Sequence, residues 1–315
     1  MYSGMVAMRF AVETTSGTFV QPVDADYSVE LIGVGLPTFN FNNASLGIAA
    51  NGSFASAGVA GGKQQVDIPE FSFQIRAASD ETITPKWYKF ANCGGWKTET
   101  VGGAEAIVYD NVPDCTTLSA EIFEIGCDGK TWITKVAGVK GNFDLMAEGA
   151  NGQLMGKCTG FTGKFVSRTE GTGFTPFSVV GEDAGVPQSL GMYTAKWGTT
   201  VYTVNTLGVT AGGSVTHRPA NDPTGISFSR ITGGESKITF SALHLLTADT
   251  IFADALACTE SSFSLEGSAG NGASFDLTAT GCQIVSPSTG DVEGNAAWEA
   301  DSIFRRVEFV PKTIV

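Results

Sequence analysis

The chain has 315 residues, of which 42% are hydrophobic and 16% charged, with forty glycines, a net charge of −13 and a pI near 4.6. Such hydrophobic content excludes a disordered chain, and so acidic a protein does not bind nucleic acid through its average field, because phosphate contacts need clustered Lys and Arg. No run approaches the roughly 18 apolar residues that a spanning helix needs; "MYSGMVAMRF" has no basic stretch leading into an apolar core, so no export signal is expected and synthesis is expected in a cytoplasm.

Thr, Ser, Val, Phe and Gly without long Lys or Glu runs suit many short strands and tight turns. Residues 1–60 read as an extended, low-charge region, with Phe39 and Phe41 alternating in "GLPTFNFNN" and a small-residue loop or arm in "NGSFASAGVAGG". "QVDIPEFSFQIRA" predicts a half-buried strand with Phe71, Phe73 and Ile75 on one face. "TPKWYKFANCGGW" predicts a short helix, capped by Thr84, with Pro85 in the first turn and Gly94-Gly95 at the end. Asp128-Gly129 then stands between two β-rich runs, the strongest hairpin signal in the chain.

"GNFDLMAEGANGQLMGKCTGFTG", residues 141–163, reads as a glycine-hinged hairpin. Its alternation sends Phe143, Leu145 and Ala147 one way and Asn142, Asp144, Met146 and Glu148 the other. Something like its first half returns at 262–281, "SFSLEGSAGNGASFDLTATG". Residues 167–190 are loose and rich in turn residues. A connection over 169–189 divides the chain into a first domain, 1–168, with an arm at about 40–65, and a second, 190–315. The second half repeats the grammar, with β-rich runs at 199–209, 212–218 and 225–231 and the strand "SKITFSALHLL". "TADTIFADALAC" predicts a short helix capped by Thr247 or Asp249, and Cys93 and Cys258 fall near matching helix ends. The order of elements predicts a duplication.

Reactive chemistry is sparse. The histidines are His217 and His244, and His244 sits in an apolar strand as a packed or edge residue. "GCDGKT" fails the phosphate-loop spacing. No cysteines are spaced as zinc ligands, so Cys93, Cys115, Cys127, Cys158, Cys258 and Cys282 are expected free and mostly buried. Trp87, Trp96, Trp132, Trp197 and Trp298 read as core and interface aromatics before they read as a sugar cleft. No catalytic, metal or cofactor residue is assigned.

The layout of nearly the whole chain resembles the major tail tube proteins of long-tailed, non-contractile bacteriophages, in their doubled-domain branch. "RFAVETTSGTFVQPVDADYSVELIG" is similar to that branch's opening, "TPKWYKFANCGGW" to a segment ending in Cys-Gly, and "DGKTWITKVAGVKGNFDLMAEGANGQLMGKCTGFTG" to its most recognisable block. "FSLEGSAGNGASFDLTATGCQIVSPSTGDVEGNAAWEADSIF" is similar to the closing hairpin and final strand. The chain departs at Val139-Lys140, where the family often has arginine, and its second half matches more diffusely.

The resemblance implies an all-β fold of two tandem tail-tube-type β-sandwich or barrel domains, each with a short flanking helix. It implies homotrimeric rings stacked into a tube in the virion tail, assembled in the host cytoplasm. Other tail proteins would sit at the tube ends, and viral DNA would pass through the lumen without specific binding; no enzyme activity, cofactor or membrane is expected. Asp144 and Glu148, Glu266 opposite Leu265, and Asp276 opposite Phe275 and Leu277 are the candidate lumen-facing acids, none of them expected to be buried. A β-sandwich carbohydrate-active enzyme and a capsid or surface decoration protein are the alternatives.

Overall fold

Period-two alternation dominates the sequence, and the chain folds as antiparallel β-structure with two short helices. The computed structural model describes residues 5–26, 29–50, 53–77, 84–110, 112, 114, 116–126, 130–148, 152–172, 175, 186–211, 214–218, 228–232, 235–244, 249–267, 273–292 and 294–313. In the first half lie β1 (Met5–Val12), β2 (Thr38–Ala50), β3 (Ser53–Asp67), β4 (Phe71–Gln74), β5 (Arg76–Ala77), α1 (Tyr88–Cys93), β6 (Lys97–Val101), β7 (Ala104–Tyr109), β8 (Leu118–Ile125), β9 (Lys130–Glu148) and β10 (Met155–Thr172). The second half has β11 (Val186–Pro187), β12 (Tyr193–Trp197), β13 (Thr200–Tyr202), β14 (Val204–Thr210), β15 (Ser214–Arg218), β16 (Phe228–Thr232), β17 (Lys237–Leu243), α2 (Ile251–Ala257), β18 (Ser261–Gly267), β19 (Ala273–Val292), β20 (Asn295–Ile303) and β21 (Arg306–Thr313).

Pairing reveals a duplication of topology. β1 pairs β8, β8 pairs β9, β9 pairs β10 and β10 pairs β4. Likewise β12 pairs β18, β18 pairs β19, β19 pairs β20 and β20 pairs β17. A β-hairpin precedes the strand before each helix: β2–β3 ahead of β4, and β15–β16 ahead of β17. The matching hairpins correct the expected register. Residues 262–281 repeat 119–138, not 141–163, so Asp128-Gly129 corresponds to Asn271-Gly272 and Gly138 to Gly281. Gly138 and Gly281 have φ of +62° and +65°, where L side chains are strained. At these points the long strands β9 and β19 exchange neighbours, β9 from β8 to β14 and β19 from β18 and β21 to β20, next to shifts in the strand register.

Each half buries the face that alternation assigns. Phe71, Phe73 and Ile75, then Phe143, Leu145 and Ala147, then Phe263 and Leu265, then Phe275 and Leu277 are all buried, and the core runs through both halves. Trp87 joins them, 6.1 Å from both Phe275 and Phe309.

Helix α1 begins later than its sequence suggests. Trp87 is the cap position and makes no side-chain bond, so Thr84 does not cap. Its end is as expected: Trp96 N–H reaches Ala91 C=O at 3.0 Å and Gly95 N–H reaches Asn92 C=O at 3.1 Å, a Schellman closure with Gly95 at φ +92°. At α2 the same closure runs from Thr259 to Asp254 and from Cys258 to Ala255, so Cys258, at φ +51°, is the counterpart of Gly95 and not of Cys93. Thr247 lies outside the described residues; Asp249 Oδ1 accepts the Ile251 N–H at 3.2 Å.

In two regions that the sequence reads as loop or arm, the described residues form strands. The arm at 40–65 is a two-stranded ladder with Thr38 opposite Asp67 and Ala50 opposite Ser53, because backbone pairing needs no large apolar side chain. Of the connection at 169–189, residues 169–172 continue β10, and β11 pairs β5. Gln188 then bonds the backbone of Ile75 and Leu154.

Candidate assembly interface

Six pairings and one bridge build a continuous ladder. The Ile32–Ser72 bridge sets residues beside Ile32 against β4, and the ladder runs on through β10 and β9. Then β14, with Thr210 opposite Asp144 and Thr206 opposite Glu148, carries it to β17, β20 and the second half of β19. The Ile32 segment, β4, β10 and β9 are thus followed by their counterparts β14, β17, β20 and β19, head to tail. The β9–β14 seam is where one half accepts the other.

A second seam reinforces the first. β21 pairs β7, with Phe309 opposite Ile107. Around it Arg306 meets Glu99 at 2.8 Å, Glu308 at 2.7 Å and Asp110 at 3.5 Å, while Lys97 meets Asp110 at 2.8 Å. Burial alone would raise the Asp110 carboxyl, but the Lys97 hydrogen bond, the Val112 N–H and the Arg306 charge hold it below the usual carboxylate range.

Among the described residues the ladder ends at two unpaired edges. On β19, residues 283–292 pair β20 on one side, and among the described residues no strand lies on the other. Pro287 stands within this edge and removes one amide donor, which limits unselective strand pairing. At the opposite end is the Ile32 segment, where Ile32 and Leu36 are exposed. By the duplication, these two edges are the counterparts of the two that pair with each other at the β9–β14 seam.

The face of the ladder opposite the core is polar, and the structure divides the four sequence-predicted acids. Asp144 and Glu148 lie on it, on β9. Glu266 on β18 and Asp276 on the first part of β19 lie in the neighbouring sheet with β12 and β21. Both of the latter are ion-paired: Glu266 with Lys196 at 2.6 Å and Asp276 with Lys312 at 3.1 Å. The acids that do share the ladder face are Glu299 and Asp301, which the sequence reading missed. Through Ser241 and Thr239 of β17, their rows continue to Thr206 and Gly208 of β14. Lys157 and Lys237 share the face, paired with Glu70 at 2.7 Å and Glu235 at 3.4 Å.

Asp144 is not the open carboxylate the sequence predicts. It is mostly buried beside the seam, and its Oδ1 has no hydrogen-bond partner. Burial pushes its carboxyl up to about 6, despite the Ala211 N–H and Lys157.

The "ETTSGT" stretch contains a buried device. Glu13 Oε2 accepts the Gly17 N–H at 2.7 Å and the Thr117 hydroxyl at 2.6 Å. Its Oε1 accepts the Ser119 hydroxyl at 2.8 Å and the Gly138 N–H at 2.7 Å. One carboxylate thus ties the end of β1 to β8 and to the hinge of β9. Lys140, also buried, donates to the Asp114 carbonyl at 3.0 Å.

His244 stacks on Trp298 at 4.3 Å with its Nε2 buried and unpartnered, and His217 lies on β15 opposite Ser229. Cys93, Cys158, Cys258 and Cys282 are free; Cys115 and Cys127 lie outside the described residues. Burial pushes the Cys93 thiol up to about 12 and Cys282 to about 11. A cavity of about 340 Å³ opens between β12 and β14, lined by Tyr193, Tyr202, Leu190 and Leu265 among others, with no carboxylate among the described residues of its wall. Among the described residues no His, Cys, Asp and Glu cluster could hold a metal ion, and no helix is long and apolar enough to cross a membrane. In comparisons with known proteins, no family model matches this chain and no curated protein matches it.

Proposed function

We propose that this protein is the subunit of a homotrimeric ring, and that its rings stack as the tail tube of a long-tailed phage. The supporting observation is the head-to-tail ladder. A repeat whose second copy leaves open the same edge that the first copy fills is a heterologous contact, which closes into a ring or runs on as a filament. The open edge of β19 accepts the Ile32 segment of the next chain as β9 accepts β14. Three doubled chains then supply six such units around the ring. The polar face lines the bore, where the carboxylates of Glu148, Glu299 and Asp301 repel phosphate and keep DNA from sticking; Asp144, mostly buried, adds little to that field.

End-on averages of purified protein in negative stain, with mass photometry, test the reading. Rings of three chains are expected; six chains per ring, or a monomer at every concentration, would overturn it. Glu148→Lys with Glu299→Lys and Asp301→Lys should leave rings intact and slow genome release, most at low ionic strength. Unchanged release at all salt concentrations would show that this face is not the bore.

A further inference from the structure

The β9–β14 seam has a definite register, and the duplication carries that register to the two open edges. In the first half Phe143 lies opposite Cys158 and Cys158 opposite Phe71; in the second Pro287 lies opposite Ala300 and Ala300 opposite Phe240. Cys158, Phe71, Ala300 and Phe240 are buried at matching places in the two halves. Pro287 is therefore the counterpart of Phe143, and Val292 that of Glu148. The one extra residue between Gly281 and Pro287 is Val285, where the pairing with β20 shifts. On the other edge Ile32 faces Ser72 as Thr206 faces Ser241, so Ile32 matches Thr206 and Leu36 matches Thr210. Gly35 lies against Pro69, so the segment keeps this course beyond Ile32.

Backbone direction agrees with the match. Ile32 exchanges both of its hydrogen bonds with Ser72, at 2.7 and 2.9 Å. Alternation then turns the peptide groups of Gly33 and Gly35 to the open side. On β19, a proline fits inside a paired strand where its nitrogen faces away from the partner. Pro287 pairs β20, so its nitrogen faces the open side, and by the same alternation so do the amides of Thr289 and Asp291. The counterpart register sets Gly33 opposite Asp291 and Gly35 opposite Thr289, outward residue against outward residue. A slip of one residue sets outward against inward. A slip of two brings Pro37 or Pro287 into the ladder, where neither has an amide to donate.

The seam within the chain stops at the same place. Its last pair is Asp144 with Thr210, and the next residue, Ala211, turns its N–H to the Asp144 carboxylate. Ala211 is the counterpart of Pro37, as Phe143 is of Pro287. Gly33 has φ +79° in the single chain and, lacking a Cβ, also takes the extended form that pairing requires.

We infer that residues 32–36 of a second copy of this chain pair antiparallel with residues 288–292 of β19 in one register: Ile32 with Val292, Gly33 with Asp291, Val34 with Gly290, Gly35 with Thr289 and Leu36 with Ser288. The inference rests on the ring reading and deepens it, naming the residues through which one chain meets the next. Pro37 and Pro287 end the ladder, so the edge takes this strand and admits no longer one. The occupant is a second copy because both edges belong to this chain and match edges that pair within it. Ile32 and Leu36, 51% and 60% exposed, then gain cross-strand neighbours in Val292 and Ser288.

Disulfide trapping tests the register. Between the chains Ile32 and Leu36 fall at pairs without hydrogen bonds, where the Cα atoms come closest. In a Cys258→Gly background, Ile32→Cys with Val292→Cys, and Leu36→Cys with Ser288→Cys, should each give covalent oligomers when assembled protein is oxidised. The exchanged combinations, Ile32→Cys with Ser288→Cys and Leu36→Cys with Val292→Cys, should not. Cross-linking of the exchanged combinations ahead of the matched ones would overturn the register. Rings in the microscope with no cross-link from either matched pair would overturn the pairing and leave the ring reading standing. Absence of assembly by the unmodified protein would overturn both. Separately, Thr289→Pro removes an outward amide and should raise the concentration needed for assembly about tenfold or more. The melting temperature of the subunit should stay unchanged. A lowered melting temperature, or normal assembly, would show that this amide does not serve the next chain.

Discussion

Helices α1 and α2 occupy the same place in the two halves and end in the same Schellman closure, yet one is buried on nearly every side and the other is largely exposed, with Phe252 stacked on Trp298 at 5.8 Å. Tyr88, Lys89, Phe90, Ala91 and Cys93 are all buried, with Phe90 packed edge-on against Phe10 and Phe71 at 5.2 and 5.6 Å. In α2 only Ile251 is buried. The difference comes from what surrounds the helix. Around α1 the hairpin β6–β7 and residues near Asp26 close over it, and the buried Lys89 ammonium donates to the Phe10 and Asp26 carbonyls. Nothing equivalent follows α2. A duplicated fold has thus kept its strand pairing and changed its wrapping, leaving one helix covered and the other with an exposed face, that of Phe252 and Leu256.

The sharpest way to break this comparison is to empty the sealed side. Trp87→Ala removes a fully buried indole that lies 5.9 Å from Phe143 and 6.1 Å from Phe275. The expected loss is about 3–5 kcal/mol, read by urea unfolding. Leu256→Ala, at the counterpart helix, should change subunit stability by less than about 0.5 kcal/mol. Comparable losses at both sites would mean that α2 is not bare in solution.

The hinge glycines offer the next contrast. Gly138 is held by the Glu13 carboxylate, whereas the neighbour of Gly281 is the exposed Arg305, which pairs with Glu260 at 2.8 Å. Glu13→Ala leaves a buried hydroxyl pair and two amides without their acceptor and should cost about 2–4 kcal/mol. Arg305→Ala removes a solvent-exposed pair and should cost less than about 0.5 kcal/mol. Equal costs from chemical denaturation would show that the Glu13 bonds are replaced by water at no loss.

At the seam itself, Asp144 makes stability depend on pH. Its folded pKa of about 6 lies above its ordinary 3.8, so between those values the folded chain holds a proton that the unfolded chain has released. Stability therefore falls as pH rises from about 4 to about 6 and levels off above, the carboxylate form being the penalised one. Asp144→Asn removes the penalty. It should raise stability by about 2 kcal/mol above pH 6 and by little near pH 4. A gain that is the same at both pH values would place the effect in packing rather than in charge.

What was readable in the sequence follows from how far each interaction reaches along the chain. Alternation fixed the buried faces of β4, β9, β18 and β19, because parity is a property of neighbouring residues. The short helices and the Gly94-Gly95 stop were readable for the same reason. The register of the duplication was not, since glycine-hinged hairpins look alike and 262–281 resembles 141–163 as well as its true counterpart 119–138. Nor was the ladder. Asp144 meets Thr210 and Lys157 from two other strands, and Glu299 and Asp301 join the same face only through β17 and β14. Asp144 alternated correctly and was still read as open, because its burial comes from those distant partners.

The smallest expected effect bears on how alike the two helices remain. Gly95 and Cys258 close them at the same position with φ of +92° and +51°. A left-handed residue with a Cβ carries a steric penalty that glycine avoids, of about 1 kcal/mol. The freer unfolded chain of glycine offsets part of it. Cys258→Gly should therefore stabilise the subunit by about 0.5 kcal/mol, while Gly95→Ala should destabilise it by about 1 kcal/mol or more. The thiol itself is dispensable for packing because Cys258 is exposed, unlike Cys93, Cys158 and Cys282. Brief treatment of native protein with a maleimide should accordingly label Cys258 ahead of those three, and denaturation should release them all. A destabilising Cys258→Gly, with Cys258 protected from label in the free subunit, would mean that the end of α2 is packed as tightly as that of α1. The contrast between the halves would then be confined to the Phe252–Leu256 face.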